Sequence, residues 1–355
     1  MFIYWRWAYS ALERAKSPLG TFLYQAHAMT QSIRFDGQVA IVTGSAGGLG
    51  LSIAQELARR GAAVLVNDYG GDLHGHGAQP ARAEEAAAAI CAEGGRAAGD
   101  CTAVGTPHAA RAIVAHALER FGRLDILVNN AGIARPLPID ETSDEQLELE
   151  LRTNLLGPYA LIRAAWPVMR AQGYGRILNV SSNASLGIGN NASYATAKAG
   201  LIGLTLDAAA EGKALGILVN AVMPVAHTRM IEGIPDPGFV AWFRRYMAPG
   251  KVAAPLACFL SRQSSVTGRI LSLGGGRVAR VVFAENDGIV GVADAETAQA
   301  RSPEALDITQ VHALESSFDE LGLYSREFPF EGAGSGPALD ERAVVGATRS
   351  NDRQP

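Results

Sequence analysis

Short apolar runs separated by longer amphipathic stretches repeat along the chain from residue 38 to residue 276. The runs are rich in Val, Ile, Leu and Ala, which is typical of strands buried on both faces of a parallel sheet. They predict seven strands, at residues 39–43, 63–67, 96–99, 126–128, 176–181, 217–221 and 269–273. The intervening stretches predict helices, the main ones at residues 51–60, 81–92, 107–121, 144–171 and 193–215. The pattern therefore predicts an α/β fold, a doubly wound sheet of seven parallel strands with helices on both faces.

The same pattern divides the chain into four segments, residues 1–30, 31–276, 277–330 and 331–355. The second is the predicted main domain. The first is an aromatic-rich extension, interpreted either as a segment upstream of a natural start at Met29 or as a docking helix. The third is an extension in which a helix is predicted from Ser302 towards Leu321. The fourth is rich in Gly, Ser, Arg and Asp, with little to bury, and is predicted to be mobile.

Composition and charge exclude several classes of protein. The net charge is −4 and Lys and Arg form no stripe, so the chain lacks the positive surface that nucleic acid or an anionic membrane requires. No apolar run reaches the roughly 18 residues of a membrane-spanning helix. The three cysteines, at positions 91, 101 and 258, are far apart. Neither a disulfide framework nor a metal site is therefore predicted, and a reducing, cytoplasmic location is expected.

A glycine-rich turn follows the first predicted strand. Residues 43–50 read TGSAGGLG and lead into a predicted helix. Glycines permit a tight turn, and the free N–H groups at the start of a helix bind a pyrophosphate, which the helix dipole also favours. The pattern is typical of a Rossmann-like fold, and its candidate cofactor-binding residues are Gly44, Gly48, Leu49 and Gly50.

Tyr194 and Lys198 form a second candidate element. They are four residues apart on one predicted helix, so their side chains share a face. A tyrosine ionises near pH 10, and a neighbouring ammonium group stabilises its phenolate. The pair therefore predicts a general acid and base at Tyr194, and together with the glycine-rich turn it indicates a nicotinamide-dependent dehydrogenase.

Five motifs in order give the chain a resemblance to the short-chain dehydrogenase/reductase family over about residues 35–276. They are the glycine-rich turn, the stretch Asn-Asn-Ala-Gly at 129–132, Asn154, the pair Ser181 and Ser182, and Tyr194 with Lys198. The resemblance implies an oxidoreductase with a nicotinamide cofactor and a catalytic set of Asn154, Ser182, Tyr194 and Lys198. It also implies a homo-oligomer, a tetramer or a dimer.

The resemblance further assigns cofactor contacts. Asp68 follows the second strand, where a carboxylate binds ribose hydroxyls and repels a 2′-phosphate, which favours NAD over NADP. The alternative is an aspartate that caps the next loop. The other expected contacts are Asp100 and Cys101 at the adenine, Asn130, Ala131 and Gly132 along the cofactor, Pro224 and Thr228 near the carboxamide, and Tyr194 and Lys198 at the nicotinamide ribose. For Asn130 a purely structural role is an equal alternative.

Two members of the catalytic set have alternatives. In the family, the catalytic serine is usually the second of a Ser-Ser pair and lies 13 residues before the tyrosine. Here the two criteria select different residues, because Ser181 is the one that lies 13 residues before Tyr194. The second of the pair, Ser182, lies 12 residues before it. Ser182 is favoured, followed by Ser181 and then Ser185. Asn154 resembles the residue that holds a water in a proton relay, and the alternative is a polar residue that kinks its helix.

Residues 230–250 are expected to cover the substrate, since long loops after parallel strands close over the carboxyl edge of the sheet. This segment contains Phe239, Trp242, Phe243, Tyr246 and Met247. A hydrophobic secondary alcohol, such as a steroid, terpene or aromatic alcohol, is therefore predicted as the substrate.

Within the family, the chain resembles the dehydrogenase part of peroxisomal multifunctional enzyme type 2. That resemblance implies the alternative of a (3R)-3-hydroxyacyl-CoA dehydrogenase, with Arg244 and Arg245 as candidates for binding the phosphates. Two adjacent helical arginines are, however, more typical of a solvated face. An NADPH-dependent ketoreductase and a cofactor-binding regulatory protein are the further alternatives.

Overall fold

The computed structural model describes residues 32–314. The predicted extension at residues 1–30 and the predicted tail at residues 331–355 lie outside the described residues. Within the described part, no helix combines the length and the apolar character that crossing a membrane would require.

Eight strands form the central sheet. They are β1 (Val39–Thr43), β2 (Ala63–Asn67), β3 (Arg96–Asp100), β4 (Ile126–Asn129), β5 (Gly175–Val180), β6 (Ile217–Val225), β7 (Ile270–Gly274) and β8 (Arg277–Val281). Their spatial order is β3-β2-β1-β4-β5-β6-β7-β8, with the first seven parallel and β8 antiparallel to β7. The order reverses between β1 and β4, so the crevice that binds ligands in such folds opens at the carboxyl ends of these strands.

Helices connect the strands. They are α1 (Gly48–Arg59), α2 (Ala81–Ala92), α3 (Pro107–Phe121), α4 (Asp144–Leu151), α5 (Gly157–Gln172), α6 (Ala192–Gly212), α7 (Arg229–Glu232), α8 (Pro237–Tyr246) and α9 (Gly250–Leu260). A π-helical turn, Arg152–Leu156, lies between α4 and α5, and 3-10 turns lie at Asn183–Leu186 and Lys213–Leu215. After the sheet come β9 (Phe283–Glu285), α10 (Ala295–Ala300), α11 (Ser302–Ala305) and β10 (His312–Leu314).

Apolar layers cover both faces of the sheet. The strands β1, β2, β4 and β5 are buried at every position, as their unbroken apolar runs predict. On one face, Ile53 and Leu57 of α1 share a core with Leu256 of α9. On the other face, Ile113 of α3 packs with Leu161 of α5. The two layers hold the carboxyl edge of the sheet as a rigid platform for the loops above it.

The predicted sheet lacked one strand. All seven predicted strands are present, but the sheet continues past residue 276 into β8. Gly275 and Gly276 have φ of 60° and 91°, and two residues of positive φ make the tight turn that joins antiparallel strands. β8 is largely exposed and carries no continuous apolar run, so the parallel-strand pattern did not detect it.

Two predicted helices also differ from the structure. The helix predicted at 144–171 is interrupted by the π-helical turn, because Pro158 has no N–H to donate to the carbonyl of residue 154. The helix predicted from Ser302 ends at Ala305, and its expected end at Leu321 lies outside the described residues. Asn286 Nδ2 donates to the carbonyl oxygens of Ala305 and Asp307, at 2.9 and 2.7 Å, and so satisfies the end of the short helix.

Candidate active site

A cavity of about 590 Å³ opens at the carboxyl edge of the sheet. Cavities of this size hold small-molecule ligands and cofactors. All the predicted site residues line it except Asp100, Cys101 and Asn154. The fold therefore brings the glycine-rich turn into one cavity with Tyr194 and Lys198, although about 150 residues separate these motifs.

The glycine-rich turn has no room for side chains at two positions. Gly44 has a φ of 63°, and a Cβ there would lie 2.7 Å from the Cα of Ala131. A Cβ at Gly50 would collide with the carbonyl oxygen of Gly44 and lie 2.5 Å from Nδ2 of Asn130. Glycine at these positions lets the first turn of α1 approach residues 130–132 closely.

Asn130 supports the turn. Its Nδ2 donates to the carbonyl oxygens of Thr43 and Gly44, at 2.9 and 3.0 Å. In return, Thr43 Oγ1 accepts hydrogen bonds from the backbone N–H groups of Asn130 and Ala131, both at 3.0 Å. The amide of Asn130 is thus used within the protein, which is the structural role that the sequence offered as an alternative.

The start of α1 is open to a ligand. Gly47 precedes it with no side-chain cap, and its first turn carries no acidic residue. A Cβ on Gly48 would lie 3.8 Å from Cγ2 of Thr228, so a narrow cradle separates the helix start from that residue. Uncapped N–H groups at the positive end of a helix fit a pyrophosphate, and the residues present therefore fit a dinucleotide.

Asp68 lies at the edge of the cavity beside the turn. Its Oδ2 accepts from the N–H of Ala46 at 2.9 Å, and its Oδ1 accepts from the N–H of Gly70 at 2.8 Å. The loop-capping role that the sequence offered as an alternative is therefore present. It leaves the carboxylate able to accept more hydrogen bonds, since each oxygen has a second lone pair.

Asp100 and Cys101 lie outside the lining of the cavity, and their contact with adenine stays a prediction. Asp100 is buried, and its Oδ1 accepts from Asn67 Nδ2 at 2.7 Å while its Oδ2 lies 2.7 Å from Nδ1 of His116. Its carboxylate is used to join β2 to α3. The cavity is lined here by the next residues along the chain, Thr102, Ala103 and Val104.

Tyr194 and Lys198 lie on α6 and are 7% and 2% exposed. Lys198 Nζ donates to the carbonyl oxygen of Val180 at 2.7 Å and lies 5.6 Å from the centre of the Tyr194 ring. Burial lowers the pKa of Lys198 to about 8. The amine is therefore largely protonated at neutral pH and loses its charge as the pH rises through 8.

The pKa of Tyr194 moves against the expectation from the sequence. Burial raises the pKa of its phenol, the charge of Glu150 also raises it, and a hydrogen bond with Ser182 lowers it. The loss of solvent around the phenolate outweighs the hydrogen bond with Ser182. In the protein alone, Tyr194 is therefore a protonated phenol, suited to donate a proton.

The two serines have different partners. Both serines line the cavity. The hydroxyl of Ser182 accepts from the N–H of Ala184 at 3.1 Å and lies 3.4 Å from Oδ1 of Asn183, and its hydrogen bonding also lowers the pKa of Tyr194. The hydroxyl of Ser181, which is 2% exposed, donates to the carbonyl oxygen of Lys198 at 2.7 Å. The hydroxyl of Ser185 donates to the carbonyl oxygen of Ser182 at 2.6 Å. The geometry favours Ser182 for contact with a substrate, as the sequence analysis did.

Asn154 lies behind the cavity, in the π-helical turn. Its Oδ1 accepts from the N–H of Ile133 at 3.0 Å, and its Nδ2 donates to the carbonyl oxygen of Ile133 at 2.9 Å. The side-chain amide is thus used to hold the strand end beside Gly132, as in the helix-kink alternative. Because Pro158 cannot donate to it, the backbone carbonyl of Asn154 lacks its α-helical donor. A part for Asn154 in a proton relay stays a prediction.

The aromatic segment contributes less to the cavity than the sequence predicted. Of its five large residues only Phe243 lines the cavity, together with Met230 and Ile231 of α7. Trp242 and Tyr246 are 39% and 43% exposed. The phosphate-binding candidates have partners of their own, since Arg244 pairs with Glu232 at 2.8 Å and Arg245 lies over the ring of Tyr246.

Two parts of the cavity lining were not predicted from the sequence, the loop after β2 and the apolar side chains of Ile133 and Leu149. Tyr69, Asp72 and Leu73 of this loop line the cavity, as do Ile133 and Leu149. The carbonyl oxygen of Leu73 accepts from the N–H of Ala134 at 3.1 Å, which fixes the loop over the cavity. The repeated glycines at 70, 71, 75 and 77 were the available signal, because they indicate a loop of unusual conformation.

The family model described as short chain dehydrogenase matches residues 38–235. A solved structure, a short chain dehydrogenase from Mycobacterium avium, superposes with a TM-score of 0.67 at 35% sequence identity. That match covers 76% of this chain and 94% of the other. The family and the fold that the sequence motifs indicated are both confirmed.

Several curated relatives are longer proteins. The chain is 37% identical over 269 residues to the peroxisomal hydratase-dehydrogenase-epimerase of Neurospora crassa, covering 75% of this chain and 29% of that protein. It is also 37% identical to peroxisomal multifunctional enzyme type 2 of Mus musculus, covering 71% of this chain and 34% of that one. The chain thus spans about a third of the length of these relatives.

A relative that the match covers almost completely is the (2S)-[(R)-hydroxy(phenyl)methyl]succinyl-CoA dehydrogenase subunit BbsD of Thauera aromatica. The identity is 34% over 251 residues, which cover 68% of this chain and 96% of the relative. The name of this protein gives a coenzyme A thioester that carries a hydroxyl group and a phenyl ring.

Proposed function

The chain belongs to the short-chain dehydrogenase/reductase family, and we propose that it is an NAD-dependent (3R)-3-hydroxyacyl-CoA dehydrogenase. As a member of this family it is an oxidoreductase that uses a nicotinamide dinucleotide. One observation carries the proposal. The open start of α1 shares a single cavity with the buried pair Tyr194 and Lys198 and with the hydroxyl of Ser182.

The residues of this chain account for the movement of one proton. The cofactor, when bound, accepts a hydride from the carbon that carries the substrate hydroxyl. Tyr194 takes the proton of that hydroxyl during oxidation and returns one during reduction. Ser182 hydrogen-bonds the same substrate oxygen, and the ammonium of Lys198 stabilises the phenolate that forms.

The relatives favour the acyl-CoA substrate, which reverses the order that the sequence analysis gave. The relative from Neurospora crassa is named as a peroxisomal hydratase-dehydrogenase-epimerase, and the relative from Thauera aromatica is named for a CoA thioester. The structure also weakens the argument for a steroid or terpene, since most of the aromatic side chains lie outside the cavity lining. The side chains of Ile133, Leu149 and Phe243 are sufficient to line an acyl chain.

The substrate class is tested by comparing kcat/KM for a (3R)-3-hydroxyacyl-CoA, a free hydrophobic secondary alcohol and a polyol. The acyl-CoA is expected to exceed the free alcohol by about tenfold or more, a difference of about 1.4 kcal/mol in transition-state binding. Phe243→Ala is expected to lower kcat/KM for the acyl-CoA about tenfold.

Trp242→Ala is the matched control, because this neighbouring ring does not line the cavity. It is expected to leave kcat/KM for the acyl-CoA within about twofold of the wild type. A free alcohol or a polyol as the best substrate would refute the acyl-CoA assignment. Equal losses in the two variants would refute the placement of the acyl chain against Phe243.

NAD is the proposed cofactor because the carboxylate of Asp68 lies beside the glycine-rich turn. Its charge repels a 2′-phosphate, and each tenfold preference for NAD requires only about 1.4 kcal/mol. Asp68→Ser is expected to reduce the ratio of kcat/KM for NAD over NADP by tenfold or more. The cation Arg82 is close enough to assist NADP in this variant, since its Nη2 would lie 3.6 Å from a Cβ on Gly47.

Asp72→Ser is the control for this prediction. Asp72 lies on the same loop, lines the cavity, and accepts from the N–H groups of His74 and His76 at 2.8 and 2.9 Å. Its replacement removes a carboxylate and loop hydrogen bonds without touching the turn, so the NAD preference is expected to persist. Equal use of NAD and NADP by the wild-type protein would contradict the assignment to NAD.

Association into a homodimer or homotetramer is part of the proposal. The proposed interface lies on the helices α4, α5 and α6. Leu156 and Tyr159 are 54% and 52% exposed on this side of the molecule, more than such side chains usually are. A cytoplasmic location stays a prediction from the cysteine content, whereas two of the relatives above are named as peroxisomal.

A further inference from the structure

Glu150 is a buried carboxylate beside the active site that the mechanism above does not use. It lies on α4 with no solvent exposure. Its Oε2 accepts a hydrogen bond from the hydroxyl of Ser193, and its Oε1 has no hydrogen-bond partner among the described residues. Burying a carboxyl group with one of its two oxygens left without a partner is costly, so its presence requires an explanation.

The position of Glu150 ties it to the proton-transfer group. Ser193 immediately precedes Tyr194 in the first turn of α6, and α4 packs against α6. The hydrogen bond between Glu150 and Ser193 therefore links α4 to the turn of helix that carries the phenol. No hydrogen-bonding side chain caps the start of α6 at Asn191, so this link is a substantial polar restraint on its first turn.

We propose that Glu150 is a positioning residue for proton transfer: its buried carboxylate lies against the helix that carries Tyr194 and fixes the first turn of that helix, α6, through Ser193. The inference rests on the proposed role of Tyr194 as the group that exchanges the substrate proton. It adds a residue that touches neither substrate nor cofactor and acts only through Ser193 and Tyr194.

Three groups from three elements act on the phenol. Lys198 comes from α6 itself, Ser182 lies at the start of a 3-10 turn, and Glu150 comes from α4. A negative charge disfavours the phenolate, because two negative charges in a buried site repel each other. The neutral amide in Glu150→Gln therefore makes the Tyr194 proton easier to remove, and the phenolate forms at lower pH.

The test is the pH dependence of kcat/KM for alcohol oxidation, which reports on the ionisations of the free enzyme. In Glu150→Gln the acid limb is expected to move to lower pH by about half a unit or more. Normalised to the plateau, kcat/KM on that limb then rises about threefold. Glu148→Gln is the matched control, since it removes an exposed carboxylate two residues away on the same helix and is expected to leave the limb in place.

A second variant separates position from charge. Ser193→Ala removes the hydrogen bond and keeps the charge of Glu150, so kcat is expected to fall while the acid limb does not move to lower pH. The double variant Glu150→Met/Ser193→Ala replaces both polar partners with apolar groups and leaves no buried polar group without a partner. It serves as the test variant if Glu150→Gln fails to fold. Its acid limb is expected to move in the same direction as that of Glu150→Gln.

A readout independent of turnover keeps this inference separate from the proposed function. The ultraviolet difference spectrum of tyrosinate, taken as wild type minus Tyr194→Phe, follows the ionisation of this phenol alone. Its midpoint is expected to fall to lower pH in a Glu150→Gln background. If the tyrosinate midpoint and the acid limb of kcat/KM both stay in place in Glu150→Gln, the action of Glu150 on Tyr194 is refuted. If Tyr194→Phe is active, the proposed function is refuted, and the spectroscopic result still stands.

Discussion

Replacing Tyr194 with Phe is expected to reduce kcat by about 10²–10⁴-fold or more, the usual contribution of a general acid or base. The phenyl ring keeps its packing near Lys198 and the lining of the cavity, so only the proton-exchanging hydroxyl is lost. NADH binding, measured by fluorescence titration, is expected to stay within about threefold of the wild type, because the hydroxyl acts mainly in the proton step.

Tyr159→Phe is the control for this result. It removes a tyrosine hydroxyl from α5, on a side chain that is 52% exposed and outside the cavity lining, and its kcat is expected to equal that of the wild type. A Tyr194→Phe variant that retained kcat within about threefold would overturn the mechanism.

Ser182→Ala is expected to lower kcat by about 10²–10³-fold, the typical cost of removing a hydrogen-bond donor from the oxygen at which charge develops. Ser181→Ala changes a neighbouring serine whose hydroxyl donates to the backbone of Lys198. It is expected to lower stability by about 1 kcal/mol and to change kcat by less than about threefold.

Steady-state kinetics and thermal unfolding of the two variants distinguish these roles. The pair is well matched, because each variant removes one hydroxyl from adjacent positions. A larger loss of rate in Ser181→Ala than in Ser182→Ala would transfer the substrate contact to Ser181.

The parallel part of the fold was predictable from local chemistry. Unbroken apolar runs such as Val39–Thr43 form buried parallel strands because they must be covered on both faces, and their limits follow from the polar residues around them. β8 was not predictable in this way, since it lies at the edge of the sheet and is largely exposed. Its existence depends on pairing with β7 through a two-glycine turn, which is a tertiary contact.

The site was predictable where a motif determines its own geometry. The glycine-rich turn and the spacing of Tyr194 and Lys198 each determine which groups point to one side. Asp100 shows the limit of this reasoning. A carboxylate at the end of a strand can face a ligand or bind a side chain of the protein, and the sequence does not indicate which. In the structure, the carboxylate of Asp100 binds His116. The serine pair shows another limit, since adjacent residues in an extended segment point to opposite sides.

The aromatic segment overstated the apolar surface of the cavity for a physical reason. A cluster of large apolar residues on a short helix covers several faces of that helix, and only one face meets the cavity. Phe243 lies on that face, while Trp242 and Tyr246 do not. Composition therefore overstated the apolar surface that is available to a substrate.

The central claim is that this chain moves a hydride from C3 of a (3R)-3-hydroxyacyl-CoA to NAD. The most direct measurement uses a substrate with deuterium at C3 and determines the label in the recovered NADH by mass spectrometry, with the Tyr194→Phe protein as the blank. The account predicts one deuterium in each NADH formed by the wild-type protein and no labelled NADH above the blank from the (3S) enantiomer. Absence of labelled NADH from the (3R) substrate, at a level above the blank, would contradict the account.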